Sequence, residues 1–481
     1  MSKLKIALGI IVFFLCAVGA QAQWRNLGFP PSRPVNPNCA LTTFPCYTPS
    51  NATPLLFDWM KATYDPLDKG VIIYANSPYC CFDASNAVFV LNTANAVARG
   101  SVNVSDGSVW TLKWSNNDRI ENGSRPAAIT SITRTSNVVT VNVVSPGIRA
   151  RIGEIAVVWG VSDPSFNGMF RVTGTSSNPP ETQFTYSQTG LDTGPILNSG
   201  KAGGPTDALH QPSDREPYHQ ITWDTKRNFM WQFGGDAYGV NNPGQNYCAE
   251  CQAADLYQFD FTQSNVIATQ ICGNFTARCG AFRGVDEGAI AYDPINDVIV
   301  LFAGLVGGTQ VNDTWEYAIS TNRWTHTCTA TSCIGGGLPP RIRNREGLVY
   351  DPVAGAFIMF SGITKPNNIP LNDTWAYSAT THRWTQLNTT LQPPAEQFPV
   401  MDYDPDRQSV VFISPNSPAQ VWELTNVNVA AGTGVWTNLN ISGGPTLNVH
   451  PANNYGAYDQ NARRFVVFMV NSSGVWTLQL P

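Results

Sequence analysis

The sequence predicts an all-β protein, a six-bladed β-propeller closed by its N-terminal strand and carrying a small inserted β module. Three observations predict it. A phrase of aromatic, Asp, short polar turn and apolar run recurs six times along 481 residues. A second phrase, Asn-Asp-Thr-Trp followed by Arg-Trp-Thr, is written from Asn312 and again from Asn372, 60 residues later, and a fixed period of this size marks a repeat architecture. The composition is turn-rich and low in charge, with 40 Gly, 34 Pro, 13% charged and 11% aromatic residues, as in proteins built of short strands and tight turns.

The chain opens with Lys3 and Lys5, an apolar run to Ala20, and small residues at Ala20 and Ala22. This reads as a secretory signal peptide over residues 1–22, cut before Gln23. Leu15 precedes Cys16, where a lipid-anchor signal would place a small residue. No second apolar stretch is long enough to span a bilayer, so export to the periplasm or extracellular space is expected. The formal charge is −5, and loss of the two lysines leaves 27 basic against 34 acidic residues, or −7. A nucleic-acid partner, which wants a basic face, is not expected.

The six turn aspartates are Asp65, Asp224, Asp293, Asp351, Asp404 and Asp459, the last four spaced by 58, 53 and 55 residues. Asp followed by Pro suits a tight turn between a strand ending at the aromatic and a buried strand beginning after it. A third strand is matched at Phe89, Tyr257, Trp315, Trp375, Trp422 and Trp476. A fourth is matched near Trp110, Ile267, Trp324, Trp384 and Trp436. Blade-to-blade packing accounts for these aromatics, so none is assigned to a ligand.

The sixth unit ends after its third strand. Trp24-Arg25-Asn26-Leu27 matches Trp384-Thr385-Gln386-Leu387 and Trp436-Thr437-Asn438-Leu439. The N-terminal segment is therefore expected to supply the missing outer strand, which leaves no open blade edge.

The glycine pair Gly234-Gly235 after a second strand, an aromatic on the third and a Trp about ten residues later on the fourth resemble kelch repeats. The resemblance covers most of the mature chain. It is specific in the two central copies and loose in the outer ones, where the pair becomes Ala75-Asn76 or Ser414-Pro415. It implies a secreted propeller similar to the galactose-oxidase type. The copper ligand set of that type, two Tyr and two His with a Cys-Tyr crosslink, has no match here. Of His210, His219, His326, His382 and His450 only His219 falls at a channel position, and no metal or cofactor is expected.

Asp65 and Asp224 lie 159 residues apart, about 100 more than a blade needs. The excess holds alternating Val/Thr/Ile runs, read as an inserted β-sandwich or barrel over residues 127–196. The propeller then takes residues 23–126 and 197–481.

Ten cysteines remain after Cys16, an even number suited to an oxidised exported protein. Cys39/Cys46, Cys272/Cys279 and Cys328/Cys333 fall in fourth-to-first loops and are expected to pair locally. Cys80, Cys81, Cys248 and Cys251 fall in second-to-third loops. They form a vicinal and a Cys-x-x-Cys bridge, cross-link the first two blades, or, as the sharper alternative, hold a metal. Strand alternation puts all these loops and the insert on one face, opposite short turns.

Residues just before each first strand ring the channel mouth on that face. Asp58, Tyr218, His219, Asp286, Glu287, Arg345, Glu346 and Asn454 are the candidate ligand-binding residues, beside the plainer reading that such residues solvate a channel entrance. No nucleophile-elbow, zincin or phosphate-loop motif is present. The expected function is a binding module whose stapled loop face engages a glycan or an extracellular protein. A carbohydrate-active or oxidising enzyme with its site at the mouth, and a cell-surface assembly protein, are the alternatives.

Overall fold

The computed structural model describes residues 22–30, 61–75, 87–104, 106–115, 127–144, 152, 155–176, 182–203, 212, 215–216, 218–237, 251–263, 266–273, 279, 284–414, 419–445, 454–469 and 474–481. Their backbone forms six small antiparallel sheets arranged as the blades of a propeller, with a separate larger sheet.

Blade 1 is built from Ala62–Asp65, Gly70–Ala75, Ala87–Leu91 and Trp110–Ser115, and blade 2 from Ile221–Asp224, Phe229–Phe233, Leu256–Asp260 and Ile267–Cys272. Blade 3 is Ala289–Asp293, Val298–Phe302, Thr314–Ala318 and Arg323–Thr329; blade 4 is Gly347–Asp351, Ala356–Phe360, Thr374–Ser378 and Arg383–Leu387. Val400–Asp404, Ser409–Ser414, Gln420–Asn428 and Thr433–Asn438 make blade 5. Blade 6 joins the two ends of the chain: Asn454–Asp459, Arg464–Met469 and Gly474–Gln479 are followed outward by Gln23–Gly28. Gln23 lies opposite Gln479 and Trp24 opposite Leu478, so the closing strand expected from the Trp-x-x-Leu match is formed.

The recurrent aspartate makes each first turn. Asp224 Oδ1 accepts from the amides of Lys226 and Arg227 at 2.9 and 3.1 Å, and Asp293, Asp351 and Asp404 repeat the pattern two and three residues on. A short carboxylate closing its own turn is what this geometry selects.

The six first strands contact one another in a closed ring. The hydrophobic core is divided among the six seams between blades. Blades 3 and 4, for example, share Val300, Phe302, Met359, Tyr377 and Trp384, and blades 6 and 1 share Leu27, Ile73, Phe89, Phe468 and Val475. The repeated aromatics are this packing.

The inserted module is a seven-stranded sheet in residues 127–203. Ala127–Thr135 pairs with Val138–Val143 on one side and with Lys201–Gly203 on the other. The sheet continues through Ile155–Trp159, Gly168–Thr175 and Gln183–Ser187 back to Val138–Val143, closing a barrel. Its last strand extends to Gly203, past the 196 boundary expected from the alternation pattern, because Lys201–Gly203 bridges two earlier strands.

The turn face is less plain than expected at one point. In blade 1 the third-to-fourth connection holds a helix, Thr93–Arg99, capped by Asn92 and ended by Gly100 in the left-handed conformation. Among the described residues no helix is long and apolar enough to cross a membrane.

Candidate binding face at the channel mouth

Blades 2, 3 and 4 are each tied to the next by the loops on one face. The residues after the second strands of blades 2, 3 and 4 are Gly234-Gly235, Ala303-Gly304 and Ser361-Gly362, all with positive φ. The second amide of each pair donates to the next blade, Gly235 to Val285 O, Gly304 to Arg343 O and Gly362 to Glu396 O, at 3.0–3.1 Å. A side chain at Gly304 would place its Cβ 2.6 Å from Asp286 O, so the glycine is there for a close backbone approach. Asp286 and Leu305 then exchange both backbone bonds, as do Asn344 and Ile363. Second-to-third and fourth-to-first loops thus share this face.

Tyr218, Glu287, Arg345 and Phe398 are equivalent residues, each six before its turn aspartate and each left-handed, with φ of 46°, 50°, 64° and 53°. The sequence pairs Asp286/Glu287 and Tyr218/His219 were therefore one residue out of register with each other. The backbone links these positions around the ring: Arg345 N donates to Glu287 O and Phe398 N to Arg345 O, both at 2.8 Å.

A polar belt runs over blades 3 to 5. Arg345 makes a bidentate pair with Glu287 at 2.7 and 2.7 Å, and its Nη1 donates to Gln397 Oε1 at 2.8 Å. Asn344 donates to Glu287 and accepts from Gln310, which also donates to Ile363 O at 3.0 Å. The structure thus brings together Glu287 and Arg345 and adds Gln310, Asn344 and Gln397, whose amides carry no signal in a single sequence.

Across the ring, Tyr218 of blade 2 stacks on Phe398 of blade 5, centroids 6.0 Å apart and planes 16° apart. His219 meets Phe398 edge-on at 5.7 Å, and the Arg345 guanidinium lies 5.1 Å from the Phe398 centroid. Tyr218 and Phe398 are 4% and 3% exposed, so they cap the channel.

Beneath the cap lies a row of buried and part-buried ionisable groups. His219 Nδ1 contacts Glu346 O at 2.7 Å, which makes Nδ1 the protonated nitrogen. Burial, then the nearby Lys61 charge, pushes the imidazole down to about 4, so it is neutral near pH 7. Glu346 is fully buried, and neither carboxyl oxygen has a hydrogen-bond partner among the described residues. Burial pushes it up to about 8, opposed by its own backbone amide and by Arg343. Lys61 donates to Ile290 O at 2.9 Å, and burial lowers its ammonium to about 8 against the pull of Asp402. Burial raises Asp402 to about 6 although the amides of Tyr403 and Tyr458 both donate to it at 2.8 Å. Lys61, His219, Leu348, Met401, Tyr455 and Gly456 line a small cavity here, with room for about one water. Lys61 was missed because it precedes the strand of the least regular repeat.

Of the remaining candidates, Asp286 is buried and held through its backbone. Asn454 begins the first strand of blade 6 opposite Met469, and Asp58 lies outside the described residues. Cys272–Cys279 and Cys328–Cys333 are disulfides, as expected. Cys251 lies in the short strand Cys251–Gln252, while Cys39, Cys46, Cys80, Cys81 and Cys248 lie outside the described residues, as does the 1–21 part of the expected signal peptide.

Chemically, an acid held protonated by burial at Glu346, with a second carboxyl at Glu287 on the same face, is the ingredient list of acid–base hydrolysis. Here both are buried, Glu287 is committed to Arg345 and Asn344, and the aromatic cap covers them. The arrangement builds a rigid face rather than an open pocket. No family model matches the chain, and no curated protein matches it.

Proposed function

We propose that the protein is an exported kelch-type propeller that binds a glycan or an extracellular protein through its loop face. The observation that carries this reading is the capped mouth: Tyr218 and Phe398 meet across the channel, and the polar belt around them is internally bonded. A pre-ordered face of this kind suits surface recognition, because little side-chain entropy remains to be lost on binding. The Gly234-Gly235 turn, its Ala303-Gly304 and Ser361-Gly362 counterparts, and the paired aromatics of the third and fourth strands support the kelch type. The two disulfides are in keeping with export.

Glu287 and Glu346 support the face from below, so their replacement perturbs the fold. Exposed residues of the same face test the reading better. Arg341 lies in the fourth-to-first loop of blade 3 and Lys365 in the second-to-third hairpin of blade 4. The experiment screens purified protein on a glycan array and a panel of extracellular matrix proteins, then repeats the hits with Arg341→Ala/Lys365→Ala and with Asn461→Ala from the opposite face. Loss in the loop-face variant alone is expected. Loss in Asn461→Ala with an intact loop-face variant would place the working surface elsewhere.

A further inference from the structure

Among the described residues, the outer edge of blade 6 is the one blade edge filled by a segment remote in sequence. Gln23–Gly28 pairs with Gly474–Gln479, with an irregularity between Asn26 and Gly28. Two side chains anchor it. Leu27 is 2% exposed and packs with Val102, Val109, Trp110 and Val475 on the blade 1 side. Trp24 is half-buried on the blade 5 side, edge-on to Trp476 at 6.4 Å and beside Leu439 and Ile441. Gln23, Arg25 and Asn26 are exposed. The edge therefore recognises main chain plus an aromatic and a Leu three residues later, the arrangement by which sheet edges take up extended peptides.

The segment does not fill its place well. In blades 4 and 5 the equivalent tryptophans, Trp384 and Trp436, donate their indole N–H to Thr314 and Thr374 of the preceding blade at 2.8 and 2.9 Å. The Trp24 indole nitrogen is buried and has no partner among the described residues. The position that would supply a hydroxyl is Val421, in the third strand of blade 5. Val421 offers no side-chain acceptor to an indole N–H.

We propose that this edge is a strand-acceptor site, filled in cis by residues 23–28 and open to an extended segment of a partner protein with the pattern aromatic-x-x-Leu, Phe being better than Trp. Because the cis strand belongs to the same chain as the edge it fills, a partner segment must overcome its local concentration. The surface is distinct from the loop face.

The test uses the full chain and two fluorescent hexapeptides, Gln-Phe-Arg-Asn-Leu-Gly and its Trp counterpart, read by anisotropy. Saturable binding is expected, tightened about tenfold in Leu27→Ala, which weakens the cis strand and leaves the groove intact. It should vanish when Gln23→Cys and Gln479→Cys, opposite in register, lock the strand as a disulfide. Should Leu27→Ala not fold, Trp24→Ala replaces it. Absence of binding at millimolar peptide in a folded weakened variant, or equal binding in the locked one, overturns the proposal. Tighter binding of the Trp peptide overturns the partner assignment in favour of a second copy of this chain.

Discussion

The indole of Trp436 donates to Thr374 Oγ1 at 2.9 Å across the seam between blades 5 and 4, and Trp384 repeats the bond to Thr314 at 2.8 Å between blades 4 and 3. This is why Asn-Asp-Thr-Trp and Arg-Trp-Thr travel together in the sequence. The Thr of one copy satisfies the Trp of the next. Both threonines are essentially inaccessible, so Thr374→Val should cost about 1–3 kcal/mol by leaving a buried donor unmade. Conversely, Val421→Thr should raise stability by about 1 kcal/mol by giving Trp24 its partner. Denaturant midpoints decide both, and a Val421→Thr protein no more stable than the parent would remove Trp24 from the comparison.

Gly304 and Gly307 lie three residues apart and both have positive φ, but their surroundings differ. A Cβ at Gly304 would meet Asp286 O at 2.6 Å, while one at Gly307 meets nothing within 4 Å. Gly307→Ala should cost only the left-handed penalty of about 1 kcal/mol. Gly304→Ala should cost clearly more, because the backbone exchange between Asp286 and Leu305, where blade 2 leads into blade 3, must open. Equal melting temperatures for the two variants would show that the seam yields freely.

Much of the fold was legible because its devices are local. The turn aspartates act on amides two and three residues away, and the Thr–Trp bond is written in one repeat and its neighbour. The closing strand was readable because Trp24 and Leu27 copy the outer strands of blades 4 and 5. The mouth was less legible. Nothing near Glu287 or Tyr218 marks which residue turns left-handed, so the register slipped by one. The belt through Gln310, Asn344 and Gln397 joins residues from three blades, and a single sequence does not say which amides meet. Burial was the other gap: Glu287 and Glu346 read as polar rim residues and lie beneath an aromatic cap made by two blades on opposite sides of the ring.

The Glu346 carboxyl gives a pH dependence of definite sign. Its folded-state value, about 8, lies above the ordinary carboxyl value of 4.5. The native state therefore holds a proton that the unfolded chain releases. Its contribution to stability is intact below about 4.5, falls by roughly 1.4 kcal/mol per pH unit as pH rises toward 8, and is then constant. Asp402 and Glu396, raised by burial to about 6 and about 7, act in the same direction over narrower windows. Lys61 and His219, both lowered, act oppositely, over about 8 to 10.5 and about 4 to 6.5. The difference between the parent and Glu346→Gln isolates one group: Gln should gain on the parent steadily from pH 5 to pH 8. A difference that does not change with pH would mean that the carboxyl is ionised throughout.

The barrel in residues 127–203 should leave and fold on its own if it is cut at the right place. Its core is its own: Ile129, Val141, Val158, Phe166, Phe184 and Tyr186 are buried together. Arg134 is 5% exposed, its guanidinium lies 4.8 Å from the Phe166 centroid, and it donates to Leu191 O, Gln188 and Ser165. A buried cation with partners in three segments of one barrel should hold that barrel together without the propeller. The strand Lys201–Gly203 is part of the closure, since Ala202 faces Ala127 on one side and Val158 on the other. Excision of 127–203 with a short Gly/Ser linker should therefore preserve the propeller's melting transition, and the excised segment should give dispersed amide resonances and a cooperative melt. A segment ending at 196 should melt lower, because it leaves Ala127–Thr135 and Ile155–Trp159 without the strand between them. A propeller that fails to fold after the 127–203 excision, or equal melting of the two segments, would show that the insert depends on its host or that Lys201–Gly203 does not close it.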